Sequence, residues 1–92
     1  MVKTVSVIIE GKVQGVWYRG WTEATARELG LSGWVRNLSD GSVEALFSGA
    51  EAAVEDMLER CWQGPEPAIV TAVNAKSGEA PETDDFVVRS TK

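Results

Sequence analysis

An α+β sandwich is the fold class this sequence predicts: an antiparallel sheet with two helices on one face, plus a short C-terminal strand. Three observations point to it. The N-terminal residues alternate in the period-two manner of a half-buried strand. Segments near residues 20–29 and 50–61 lack an interior proline and carry apolar residues at helical spacing. Between them lies a hairpin pattern closed by Asp40-Gly41. A chain of 92 residues holds one core and little else, so residues 1–92 read as a single domain.

The elements follow in order. Val5, Val7 and Ile9 alternate with Thr4, Ser6 and Ile8, which predicts a strand over roughly residues 3–10. The Gly-rich stretch GKVQGVWYRG, residues 11–20, comes next. Residues 20–29 read as a helix whose stripe holds Trp21, Ala24, Thr25, Glu28 and Leu29. Gly30 suits the left-handed position just past its last turn, with Leu31 folding back on Ala26. Residues 33–49 form the hairpin, with Trp34, Val35 and Leu38 before the turn and Val43, Ala45 and Phe47 after it. Ser48-Gly49-Ala50-Glu51 fits a capping box at the start of the second helix. Ala50, Ala53, Val54, Met57, Leu58 and Cys61 make its apolar face, and Gly64-Pro65 ends it. A strand over about residues 68–76 has either Ala68, Val70 and Ala72 or Ile69, Thr71 and Val73 inward. SGEAPETDD is a polar loop, and FVVRS reads as a short edge strand. The order β-α-β-β-α-β, with this last strand added, is that of a ferredoxin-like sandwich.

Composition narrows the chemistry. The net charge is −5, so a basic nucleic-acid footprint is absent overall. No RNP1-like run lies on a strand, which removes the RNA-binding use of this topology. Within residues 11–37, however, Lys12, Arg19, Arg27 and Arg36 outnumber Glu23 and Glu28, and the excess acid lies after residue 37. A small anion could bind in that cationic part, although uneven surface charge accounts for it equally well. There is no histidine, so the commonest general base and metal ligand are missing. One cysteine, Cys61, rules out an internal disulfide and suits a reducing compartment. No apolar run spans a membrane and no secretory h-region precedes the first strand, so the cytoplasm is the expected location. With no extra apolar face in the pattern, a monomer is expected.

Several catalytic motifs are excluded directly. Six residues after Cys61 stands Pro67, not the arginine of a phosphatase loop. Gly11-Lys12 is followed by Val13, so there is no Walker loop. A structural zinc site lacks ligands. Asp84-Asp85 lies in the solvated loop with Glu79 and Glu82.

What remains is backbone, one arginine and one amide. Successive N–H groups over residues 15–19 can form an anion-binding concavity, backed by the helix start. Gly15 lets a ligand come close, since no Cβ intervenes. Arg19 can grip two phosphate oxygens and stays charged. The same residues also suit a plain structural turn. Asn37, near the end of the first hairpin strand, can orient a water by hydrogen bonding. Its alternative is to shape the turn together with Asp40.

GKVQGVWYR and GWVRNLSDGSVEALFSG together resemble the acylphosphatases, small ferredoxin-like enzymes that hydrolyse the carboxyl–phosphate anhydride bond. The resemblance covers almost the whole chain. The second motif fits throughout, and the first fits at Gly11, Val13, Gln14, Gly15, Val16 and Arg19. It departs at Tyr18, where the family usually has Phe or Met; the added hydroxyl needs a partner if buried. The resemblance implies that Arg19 binds the substrate phosphate together with the backbone amides of Gly15, Val16, Trp17, Tyr18 and Arg19. It implies that Asn37 positions the attacking water, with no metal and no cofactor. The partner is then a small-molecule acyl phosphate, and inorganic phosphate is a product. Ser42 could hydrogen-bond near Asn37 in support. Trp17 either contacts the acyl group at the site mouth or packs. Trp21, Trp34 and Trp62 are expected in core or helix–sheet contacts, and Cys61 as inert packing. The alternative is a non-catalytic phosphate or carbamoyl-phosphate binding module of the same fold, as found within larger hydrogenase-maturation proteins; a chain ending at Lys92 favours a free-standing enzyme.

Overall fold

The computed structural model describes all residues from Met1 to Lys92. The elements are β1 (Val2–Lys12), α1 (Tyr18–Glu28), β2 (Ser32–Asn37), β3 (Val43–Ala50), α2 (Glu51–Cys61), β4 (Ile69–Ser77) and β5 (Phe86–Val88). The sheet order is β4-β1-β3-β2-β5. The first four strands pair antiparallel, as expected, but β5 runs parallel to β2, so the sheet is mixed. Neither helix is long and apolar enough to cross a membrane.

The alternation of β1 places Val5, Val7 and Ile9 on the helix side. Val35, Val43, Ala45 and Phe47 join them from the neighbouring strands, and Val54, Met57 and Cys61 close the core from α2. Each such burial of a large apolar side chain is worth roughly 1.5–3 kcal/mol. Phe86 stacks on Phe47 with ring centroids 5.7 Å apart. That contact anchors the three-residue β5, which Arg27 also holds by donating to the Phe86 carbonyl at 2.8 Å.

The helices depart from expectation at their starts. α1 begins at Tyr18, and its buried face is Tyr18, Thr22, Thr25 and Ala26. Ala24 and Glu28 are exposed, so the expected stripe is rotated. Thr22 can enter the core because its hydroxyl donates back to the Tyr18 carbonyl at 2.7 Å. At the other end Gly30 takes the expected left-handed conformation, φ 73°, the Leu31 N–H donates to the Ala26 carbonyl, and both side chains lie in the core. The capping box at Ser48 does not form. Ser48 belongs to β3, where its hydroxyl meets that of Thr4 at 2.7 Å, and the strand runs straight into α2. The first amide of α2, from Glu51, instead donates to the Met1 carbonyl at 2.9 Å.

Both readings of β4 are half right. Its register against β1 shifts between Glu10 and Gly11, and this bulge inverts the alternation. Val70 and Val73 consequently both pack on the core. Among the tryptophans, Trp21 packs against the core, whereas Trp34 is half-buried and flanked by the guanidinium groups of Arg36 and Arg89. Trp62, expected in a packing contact, is instead exposed.

Candidate active site

The β1–α1 loop has a backbone shape with a chemical consequence. Gly15 has φ 75° and Trp17 has φ 69°, with Val16 between them outside the left-handed region. Alternation of this kind turns successive N–H groups toward one side. The N–H groups of Gly15, Val16 and Trp17 donate to no other group of the chain, and those of Tyr18, Arg19 and Gly20 find no acceptor in the loop before the helix. No side chain caps α1, and no acidic residue stands in its first turn. The positive end of the helix dipole is therefore open. A Cβ on Gly15 would meet nothing within 4 Å, so the backbone there faces open space.

Arg19 and Asn37 reach the same place from different elements. Val43 of β3 pairs with Ile9 of β1 on one side and with Asn37 of β2 on the other. Asn37 thus sits at the sheet end from which the β1–α1 loop departs. Gln14 ties the two pieces together: its amide nitrogen donates to the carbonyls of Leu38 and Ser42, each at 2.8 Å. On the far side the C-terminal segment runs beside β2, with the Arg89 N–H on the Val35 carbonyl and the Lys92 N–H on the Asn37 carbonyl. The backbone of Asn37 is fastened while its side chain makes no hydrogen bond. Arg19 is half-buried and has no carboxylate partner among the ion pairs.

These groups line a cleft of about 310 Å³ that holds Gly15, Trp17, Arg19, Gly20 and Asn37, with Gln14 and Val13 at the side and Val88 from β5. No carboxylate lines it. Of the expected backbone contributors, Val16 has its side chain in the core and Tyr18 is likewise buried. The Tyr18 hydroxyl finds the partner it needs in the Cys61 carbonyl of α2, at 2.6 Å. Burial pushes its ionisation far above the ordinary range, and burial pushes the Cys61 thiol up to about 12. Both groups stay neutral, with the tyrosine hydroxyl turned into the core. Ser42 does not take the place foreseen for it. Its hydroxyl and its N–H both bond the Asp40 carboxylate, which they hold below the usual carboxylate range. Its carbonyl, through Gln14, is what reaches the site. Gln14 and Val88 are cleft residues to which the sequence assigns no role; Gln14 does stand among the matches to the first family motif, and Val88 carries no such signal.

A ferredoxin-like domain with a cleft that combines free backbone N–H groups, an unpaired guanidinium and an unpaired amide is equipped to hold a small oxyanion. The acylphosphatase family model matches residues 5–88. An acylphosphatase of Rhodospirillum rubrum is 58% identical over 85 residues, covering 92% of this chain and 93% of that one. The structure of an acylphosphatase from Coxiella burnetii superposes with a TM-score of 0.91 at 39% identity, covering 96% of this chain and 93% of the other. Full-length HypF in a phosphate- and nucleotide-bound form matches with a TM-score of 0.89 at 25% identity, covering 99% of this chain but only 12% of HypF. The chain belongs to the acylphosphatase family, whose activity is hydrolysis of the carboxyl–phosphate bond of acyl phosphates.

Proposed function

We propose that the protein hydrolyses acyl phosphates with Arg19 and the amides of residues 15–19 holding the phosphoryl group and Asn37 orienting the attacking water. The observation that carries this is the set of free donors on one cleft: loop N–H groups, Arg19 and Asn37, all without partners inside the protein. Water attacks phosphorus, the bond from phosphorus to the acyl oxygen breaks, and the carboxylate leaves with its electron pair. The water proton ends on the released phosphate. Carboxylate is a good leaving group, so positioning and charge stabilisation suffice. The N–H groups and guanidinium face the equatorial oxygens, where transition-state charge is spread.

No step in this reading uses a metal or a cofactor, and no group of three or more His, Cys, Asp or Glu side chains gathers in the chain. Every residue it uses comes from one chain, which suits a monomer, and the single free cysteine, Cys61, suits the reducing cytoplasm. Benzoyl phosphate hydrolysis in the presence of EDTA tests the proposal. Wild type should be active, Arg19→Ala should lose nearly all activity, and Asn37→Ala should fold and lose roughly 10²-fold or more in kcat. Near-full activity of folded Asn37→Ala would remove its role. A large loss on chelation would contradict the metal-free route. The likeness to HypF supports one other reading, a phosphate-binding module; wild type that binds phosphate without hydrolysing benzoyl phosphate would favour it.

A further inference from the structure

The geometry points to Trp17 as the residue that reads the acyl group, giving the enzyme a preference for aromatic and large apolar acyl phosphates over acetyl phosphate. This deepens the hydrolase reading and rests on it. Trp17 is 67% exposed although its side chain is the largest apolar one in the loop. It is the one non-glycine residue of the chain with positive φ, at 69°. A bulky residue held there carries a backbone penalty, and such strain persists where the surroundings over-determine it. The ring is seated as well. Its indole lies against Gly20, so close that a Cβ at that position would collide with the Nε1, Cε2 and Cδ1 atoms. Gly20 thus leaves room for the indole to lie across the first turn of α1.

The seat is at the cleft. Trp17 lines it together with Arg19 and Asn37, and Val88, 41% exposed, adds a second open apolar surface. The contrast with Trp62 is direct: that residue is also exposed, at 53%, but lines none of the clefts. An apolar rim beside a few converging polar groups is the usual composition of a small-molecule site. The Trp17 N–H belongs to the phosphate cradle, so its indole lies within a side chain's reach of whatever is attached to the bound phosphoryl group. For an acyl phosphate that attachment is the carboxyl carbon and its substituent. A phenyl group gains ring contact and loses water there, whereas a methyl group covers little of the indole.

Kinetics with benzoyl phosphate and acetyl phosphate test this, on wild type, Trp17→Ala and Trp17→Phe. The readout is the ratio of kcat/KM for the two substrates, which general damage to the phosphate cradle does not move. We expect that ratio to fall about tenfold in Trp17→Ala, carried mainly by KM, and to recover largely in Trp17→Phe, which restores a ring. An unchanged ratio in Trp17→Ala overturns the assignment, as does a ratio no better in Trp17→Phe than in Trp17→Ala. Calorimetric titration with benzoylphosphonate and acetylphosphonate, which cannot be hydrolysed at the C–P bond, reads the same contact without turnover. Wild type that hydrolyses neither substrate overturns the hydrolase reading alone; loss of benzoylphosphonate selectivity in Trp17→Ala would then still uphold the contact, and unchanged selectivity would overturn it.

Discussion

The two helices begin in opposite ways. Neither has a side-chain cap. α2 follows β3 without a loop, its first N–H is taken by the Met1 carbonyl, and Glu51 stands in its first turn. α1 follows a loop with two left-handed residues, its first N–H groups find no acceptor in that loop, and its first turn holds Arg19 instead of an acid. At α2 the positive end of the dipole is answered within the protein. At α1 it is left unanswered and reinforced by a guanidinium. Both helix starts are uncapped, but only at α1 does the chain withhold every internal partner.

The strongest way to break this comparison is at Arg19. Arg19→Lys keeps a positive charge at α1 but loses the planar fork, so kcat/KM should fall about 10²-fold, with a weaker inhibition by phosphate. Wild-type kinetics in that variant would mean that charge alone, not a gripping geometry, distinguishes the two helix starts.

Next comes the tie that brings Asn37 beside the α1 loop. Gln14→Ala removes two hydrogen bonds, those to the carbonyls of Leu38 and Ser42, and leaves each carbonyl only its backbone donor, the Gly41 N–H and the Leu38 N–H. The cost should be about 1–3 kcal/mol in urea unfolding and roughly tenfold in kcat, with the phosphate inhibition constant nearly unmoved. Equal damage to kcat and phosphate binding would show that Gln14 shapes the cradle itself instead of placing Asn37.

A third test addresses the link between the first residue of α1 and the last of α2, the hydrogen bond from Tyr18 to the Cys61 carbonyl. Tyr18→Phe should cost about 1 kcal/mol and leave hydrolysis largely intact, because the hydroxyl turns into the core. The Cys61 thiol adds a pH signature. Its ordinary value of 9.0 rises to about 12 in the fold, so the protonated form is the one folding favours. That stability is complete below about pH 9 and is lost as pH climbs toward 12, with a slope of up to about 1.4 kcal/mol per unit. Cys61→Ala should flatten the unfolding free energy between pH 9 and 10, and an unaltered slope there would contradict the burial argument.

The smallest effect belongs to α2. Glu51→Gln should lower stability by about 0.3–1 kcal/mol and leave kcat/KM unchanged, as measured by urea midpoint and benzoyl phosphate turnover. A change in turnover would mean that the two helix starts are not independent.

Local pattern was enough for most of the architecture, since a period of two or 3.6 needs only neighbours along the chain. β1, the hairpin and the apolar face of α2 were legible for that reason, as was Gly30 at the end of α1. Two local signals misled because a distant partner intervened. Ser48 has the right spacing for a cap, but Thr4 occupies its hydroxyl. The β4 alternation is inverted by a bulge that exists only against β1.

The site divides along the same line. Arg19, Asn37 and the Gly15 loop were legible as residue types, from a Gly-rich run before a helix and two family motifs. Which of them stay without partners was not legible, because freedom from partners is a property of everything else in the chain. The sequence by itself determined the donors, the lack of histidine and the order of elements. Only the tertiary structure decided that Asn37 lies across from the α1 loop, that Gln14 holds it there, that Ser42 turns to Asp40, and that Trp17 lies over Gly20 at the rim. The physical reason is that these depend on contacts between strands and loops far apart in the chain, where backbone pairing and sterics choose among side chains that local pattern leaves equivalent.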